Sequence, residues 1–235
     1  MQAVNKPDET DLTLAAQPFG GNDGLASAKV DQIDPLFSIR EYRPMKKEIV
    51  TVAGSPGSGK SSTAKAVASA LGFRHFSSGD QFRQLAVERG ESIEAMNISA
   101  EVQRDIDLKV DNLVQEMYRT EQKLVIDSRM AWRWMPHSFK VFLVLDLDTA
   151  AQRIFNHLQM EGRISEDAQS VQEVRASIDR RSASERKRYA ALYAVDVTDP
   201  LNFDVVINTK YNDLQTATAI VRAAFQAWRN EAGEP

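Results

Sequence analysis

Residues 54–61 read GSPGSGKS. Glycines at 54, 57 and 59 lack the Cβ that would hold the chain off its neighbours. The loop Gly54-Ser55-Pro56-Gly57-Ser58-Gly59 is therefore free to wrap closely and aim successive backbone N–H groups at one anion. A helix opening near Lys60 adds its positive dipole end to the same point. Lys60 is placed to reach the β- and γ-phosphates of a triphosphate, the Ser61 hydroxyl is suited to Mg²⁺, and Ser62 follows on the same turn. The spacing G-x-x-x-x-G-K-[ST] is met in full, so this stretch is expected to hold a nucleoside triphosphate.

That motif alone does not separate a kinase from a GTPase or an ATP-driven switch. A guanine-reading Asn-Lys-x-Asp is missing, and the nearest match, NTKYND at 208–213, has the wrong order. No Asp-x-x-Gly follows the loop at a switch distance, and the chain is short for a ring-forming ATPase. A small phosphotransferase remains, and it needs cations for a second anionic substrate. In SSGDQFRQLAVERG (77–90), Ser77, Ser78 and Gly79 make a polar turn. Asp80 is expected to cap the next helix, with Arg83 projecting from its first turn. In VIDSRMAW (125–132), Asp127 ends an apolar run and would face a metal, while Arg129 lies close enough to address a phosphate. Farther on, Arg181, Glu185 and Arg188 fall at i, i+4 and i+7, one helix face, with Arg180, Arg186 and Lys187 pointing elsewhere. Each stretch has a plainer alternative: a solvated arginine, a turn-capping aspartate, a salt-bridged surface helix.

These residues need elements to hold them. From Glu48 the pattern alternates in type. Strands are predicted at 48–53, 73–77, 123–127, 140–148 and 203–208, and helices at 60–71, 80–89, 149–161, 168–193 and 212–229. SAEVQRDIDLKVDNLVQEMYRTE (99–121) carries Val102, Ile106, Val110, Leu113, Val114 and Met117 at the spacing of one continuous helix face. Short apolar runs bounded by charge suit interior parallel strands, and their alternation with helices predicts a doubly wound α/β sandwich. Residues 1–45, rich in Asp, Gly, Pro and Asn, read as a flexible extension or an arm docked through Leu36, Phe37, Ile39 and Tyr42.

The 235 residues suffice for one α/β domain. A formal net charge of -4 does not suit a surface for nucleic acid or anionic membrane, so neither is an expected partner. There is no cysteine, which excludes disulfides and thiolate chemistry and fits a reducing cytoplasm. No apolar run approaches the roughly 20 residues needed to span a bilayer, and MQAVNKPDETDLTL lacks a secretory pattern. A cytoplasmic monomer is the expectation.

The ordered set GSPGSGKSS, FSSGDQFRQLAVERG, VIDSRMAW, SERKRYAALYAVDV and FDVVINT resembles the archaeal-type cytidylate kinases, compact P-loop nucleoside monophosphate kinases. The similarity runs from about Glu48 to Trp228. It implies a three-layer P-loop fold with a mostly parallel five-stranded sheet, a monophosphate-binding helical region at about 78–122 and a lid at about 157–170, all within 46–235. It implies transfer of the γ-phosphate of ATP, with Mg²⁺, to CMP or dCMP. ATP would lie on the glycine loop with Lys60, Ser61, Ser62, Arg153 and Arg163. The acceptor would lie on Ser78, Gly79, Arg83, Asp107 and Arg129. Arg181, Glu185 and Arg188 would be shared with the transferring group, and Ser61 and Asp127 would hold the metal. Asp107, in the acidic pair DID (105–107), would read the base, although a helix-surface aspartate is the simpler alternative. Two departures stand out: Asp127-Ser128-Arg129 replaces an acidic-Gly-Arg run, and His157 stands where a second lid arginine is common. Other acceptors (AMP, UMP or a non-nucleotide alcohol with Asp80 as base) and a non-catalytic ATP-binding regulator are the alternatives.

Overall fold

The computed structural model describes residues 47–160 and 169–231, the side chain of Arg104 excepted. The expected extension at 1–45 lies outside them, as do residues 161–168 of the expected lid, Arg163 included. The described strands are β1 (Ile49–Gly54), β2 (Arg74–Ser77), β3 (Leu124–Asp127), β4 (Phe139–Val144) and β5 (Val205–Asn208). They form one sheet in the order β2-β3-β1-β4-β5, with every pairing parallel. The order reverses about β1, so the carboxyl ends of β1, β2 and β3 open onto one crevice, where ligands of such sheets bind.

Strand alternation sorts the core into layers. Val50 and Val52 face α1 (Lys60–Leu71) and α8 (Leu214–Asn230), where they pack with Val67, Val221 and Phe225. Ile49, Leu124 and Ile126 face the other way, onto Val114 and Met117 of α4 (Arg104–Thr120) and Met135. Residues at i and i+2 of a strand share a face, so a single residue's slip would turn the whole set to the wrong side.

Four expectations change. The continuous helix at 99–121 is two helices, α3 (Ile93–Val102) and α4, parted at Gln103, whose ψ of 90° leaves the helical region. The break folds α3 back, so that Met96 and Ala100 pack on Ala86 of α2 (Ser78–Glu88) and Ile106 of α4. Val102, expected on the buried face, is 83% exposed. The strand expected at 140–148 ends at Val144, because the Asp146 carboxylate accepts the N–H and hydroxyl of Thr149 and starts α6 (Leu147–Met160). Asp80 does not cap α2. The helix begins two residues earlier than expected, the Ser77 hydroxyl accepts the Asp80 N–H, and the Asp80 carboxylate binds Arg83 instead. A short helix, α5 (Ala131–Trp134), was not expected; the Ser128 hydroxyl accepts the N–H groups of Met130 and Ala131 at its start. The remaining helix, α7 (Val171–Tyr193), opens on a capping box made by Ser170 and Glu173. Among the described residues no helix is long and apolar enough to cross a membrane.

Candidate active site

β1 leaves the sheet through Gly54, at φ +148°, where an added Cβ would lie 2.2 Å from the Leu143 carbonyl oxygen of β4. Only glycine allows the chain to turn this close to its neighbour. The loop then closes on itself: the Ser58 hydroxyl donates to the Ser55 carbonyl at 2.7 Å, and Lys60 Nζ donates to the same oxygen at 2.9 Å. The helix that follows differs from its neighbours. Serine or aspartate side chains cap α2, α3, α7 and α8, whereas α1, like α4 and the short α5, has no side-chain cap; it starts on Gly59 with no acid in its first turn. Its free N–H groups and dipole are left for an anion from outside the chain.

Asp127 ends β3 beside that loop, in register with Val52 of β1 and Ser77 of β2. Ser61 Oγ donates to Asp127 Oδ2, and Ser77 Oγ lies 3.4 Å from the same oxygen. A hydroxyl and a carboxylate in contact at the mouth of a phosphate loop are hard oxygen donors of the kind Mg²⁺ takes, and the ion usually completes its shell with water and substrate phosphates.

A cavity opens next to this pair. Ser78, Gly79 and Arg83 of α2 line one wall, and Arg129 follows from β3. Arg181, Glu185 and Arg188 line the opposite wall on one face of α7, and Asp107 joins them from α4. The Glu185 carboxylate holds two guanidiniums, Arg129 Nε at 2.6 Å and Arg181 Nε at 3.0 Å. Arg188 Nε binds Asp107 Oδ2 at 2.9 Å, both side chains being under 10% exposed. Other donors of Arg188 reach the Ser184 hydroxyl and the Asn97 carbonyl, which fixes its plane. Burial works against the charge on Arg188, yet Asp107, with Tyr189 and Glu185, outweighs it and the pKa is raised. Lys60 fares differently: burial, then the repulsion of Arg129, lowers its pKa to about 7, with Asp127 and Glu185 opposing. Lys60 and four arginines thus gather about a space whose carboxylates Glu185 and Asp107 are already engaged by Arg129, Arg181 and Arg188.

A second cavity shares Glu185 and Arg129 with the first and reaches Gly54, Ser55 and Pro56. Arg186, expected to point elsewhere, lines it. Of the other expected site residues, Ser62 is exposed on α1 and lines neither cavity. Arg153 on α6 also stands apart, donating to the Thr209 carbonyl at 2.8 Å beyond β5. Sequence reading missed Asn97, Asp111 and Tyr189 on the first cavity. Asp111 carried a usable signal, lying one helical turn from Asp107; Asn97 carried none, because α3 itself was not foreseen.

Residues 49–211 match the model of the "Cytidylate kinase-like family". A cytidylate kinase of Methanocella arvoryzae is 33% identical over 177 residues, 75% of this chain and 96% of that protein. Those of Halorubrum lacusprofundi and Pyrococcus horikoshii are 36% and 34% identical, covering 68% and 77% of this chain and 80% and 90% of theirs. Among solved structures, an uncharacterized protein from Eubacterium ventriosum aligns with TM-score 0.56 at 18% identity, over 76% of this chain and 98% of that one. A gluconokinase from Sinorhizobium meliloti aligns with TM-score 0.53 at 13% identity, over 80% and 97%. These two likenesses speak to the fold alone.

Proposed function

The chain belongs to the cytidylate kinase-like family, and from that membership we propose that it transfers the γ-phosphate of ATP to CMP or dCMP, giving ADP and CDP or dCDP. One observation carries the reading to this chain's own residues. Arg83, Arg129 and Arg181 face a single cavity, and Arg129 and Arg181 lie close enough to Lys60 to depress its pKa. A cavity ringed by cations on one side of a triphosphate loop suits two anions brought end to end.

The glycine loop and the free end of α1 cradle the donor phosphates, and Lys60 places its charge on the outer two. Ser61 and Asp127 would hold Mg²⁺, which when bound supplies positive charge to the triphosphate. Ser78, Gly79 and Arg83 take the acceptor's phosphate, and the helical region at about 78–122 takes its nucleoside. An α-phosphate oxygen is already anionic at neutral pH, so no side chain has to remove a proton. His75, His137 and His157 accordingly carry no chemistry in this scheme. What the residues must do is cancel repulsion and align the two phosphates. Glu185, which lines both cavities, holds Arg129 and Arg181 pre-oriented for the charge that builds on the equatorial oxygens of the transferring group. Glu185 offsets part of their mutual repulsion, although burial and Arg129 still leave the Arg181 pKa lowered.

A coupled assay of ADP release against a panel of nucleoside monophosphates tests the reading. CMP and dCMP should each accelerate release well above the acceptor-free rate, with AMP and UMP far behind. ADP release that ignores every acceptor would instead mark an ATP-driven regulator and end the kinase assignment.

A further inference from the structure

Two carboxylates of α4, Asp107 and Asp111, line the acceptor cavity one helical turn apart, and each is 6% exposed. Their surroundings differ. Asp107 is bound by Arg188, whose guanidinium is itself fixed by Ser184 and Asn97. Its charge is already matched, and an incoming base amine would have to compete with a buried guanidinium for it. Asp111 faces no cation in any ion pair among the described residues; its Oδ2 accepts from the Tyr193 hydroxyl, and the Trp134 side chain is a second neutral donor beside it. With about four lone-pair sites on its two oxygens, it keeps acceptor capacity beyond these neutral donors, on the wall of a cavity it shares with the phosphate-seeking arginines.

The contacts along α7 run the same way. Glu185 meets Arg129 just past the end of β3, Arg188 meets Asp107 farther along the helix, and Tyr193, in its last turn, meets Asp111. A nucleotide laid with its phosphate toward Lys60 points its base toward the Asp111 end. There it meets aromatic and apolar walls from Tyr189, Met130 and Val110.

Resting on the cytidylate reading above, we propose that Asp111, and not Asp107, determines base specificity, its carboxylate accepting a hydrogen bond from the exocyclic N4 amine of cytosine. Uracil presents the O4 acceptor at that position, and a carboxylate facing O4 leaves both groups unpaired. A site built around one hydrogen-bond donor rejects the analogue lacking it far better than a merely apolar pocket does. Asp107 then acts as the positioning residue for Arg188.

The experiment compares kcat/KM for CMP and UMP in the full chain and three variants. In Asp111→Asn the amide can donate to O4 as well as accept from N4, so the CMP-over-UMP preference should fall at least about tenfold, with UMP gaining. Tyr193→Phe removes the protein's donor to Asp111 but leaves the carboxylate, and should hold the preference within about threefold. Asp107→Asn should slow both substrates together and leave their ratio standing. The proposal is overturned if Asp111→Asn folds and keeps the parent's ratio. It is equally overturned if Tyr193→Phe reproduces the loss, which would make Asp111 a structural tether, or if Asp107→Asn abolishes the preference. If Asp111→Asn fails to fold by circular dichroism, the Asp107 and Tyr193 arms can still overturn the proposal. Failure of the cytidylate reading looks different: the unmodified protein would show no CMP-dependent ADP release at all.

Discussion

Lys60 must carry charge into a place already occupied by Arg129 and Arg181, and burial together with those neighbours brings its pKa down to about 7. The sign of the consequence follows directly. Above that pH the free protein holds Lys60 largely neutral, whereas a bound triphosphate stabilises the ammonium and raises its pKa again. Binding ATP without divalent cation should therefore take up a proton at about pH 8, and affinity should fall as pH rises. Calorimetry in two buffers of different ionisation enthalpy measures the uptake. In Lys60→Ala the uptake should vanish and turnover should drop by about 10³ or more, with the circular dichroism spectrum unchanged. Near-normal turnover in that variant would remove Lys60 from the reaction. His75 offers a useful contrast. It too is pushed toward the neutral form, by burial first, but its Nε2 is buried with no hydrogen-bond partner and it lines neither cavity. A shifted pKa without the cavity is not a site.

At the scale of elements, the loop is a consequence of how tightly β1 lies against β4. Gly54 is the point of closest approach, so Gly54→Ala drives a Cβ into the backbone of Leu143. The obstacle is main chain rather than a flexible side chain and cannot step aside. The variant should lose about 3 kcal/mol or more in urea denaturation and should lose ATP binding with it. A stability within about 0.5 kcal/mol of the parent would show that the strand exit is slack. The helices divide by what their first turns do. Ser77, Ser92, Ser170 and Asp213 satisfy their own helices, and α1 alone in this set leaves its start open. This difference was partly legible: G-K-S in place of a capping serine is visible in the letters. The break at Gln103 was not, because a glutamine carries no breaker signal. The chain turns there because α3 gains a core of its own by packing Met96 and Ala100 back on α2 and α4.

For the molecule as a whole, a net charge of -4 would repel nucleotides at long range, yet the site gathers Lys60 and four arginines, 83, 129, 181 and 188, about one crevice. At contact the local cations win, since Coulomb energy scales inversely with distance while salt screens anything beyond about 10 Å at 0.1 M. KM for both nucleotides should thus rise several-fold between about 0.05 and 0.5 M KCl, with kcat changing less; a KM that falls with salt would mean the global charge dominates. The letters alone determined a good deal. Runs such as IVTV, LVID and VVIN between amphipathic helices leave a doubly wound parallel sheet as the economical fold, and G-x-x-x-x-G-K-S dictates a phosphate nest because its effect is local, written in backbone freedom and the start of one helix. Even the shared face of Arg181, Glu185 and Arg188 follows from helical geometry. Only the tertiary structure decided which charges meet: that Glu185 holds Arg129 as well as Arg181, that Arg188 is spent on Asp107, and that Asp111, among the described residues, faces the cavity without a cation. Those partners stand tens of residues apart in the chain, and an ion pair's worth depends on distance and burial, neither of which any stretch of sequence carries within itself.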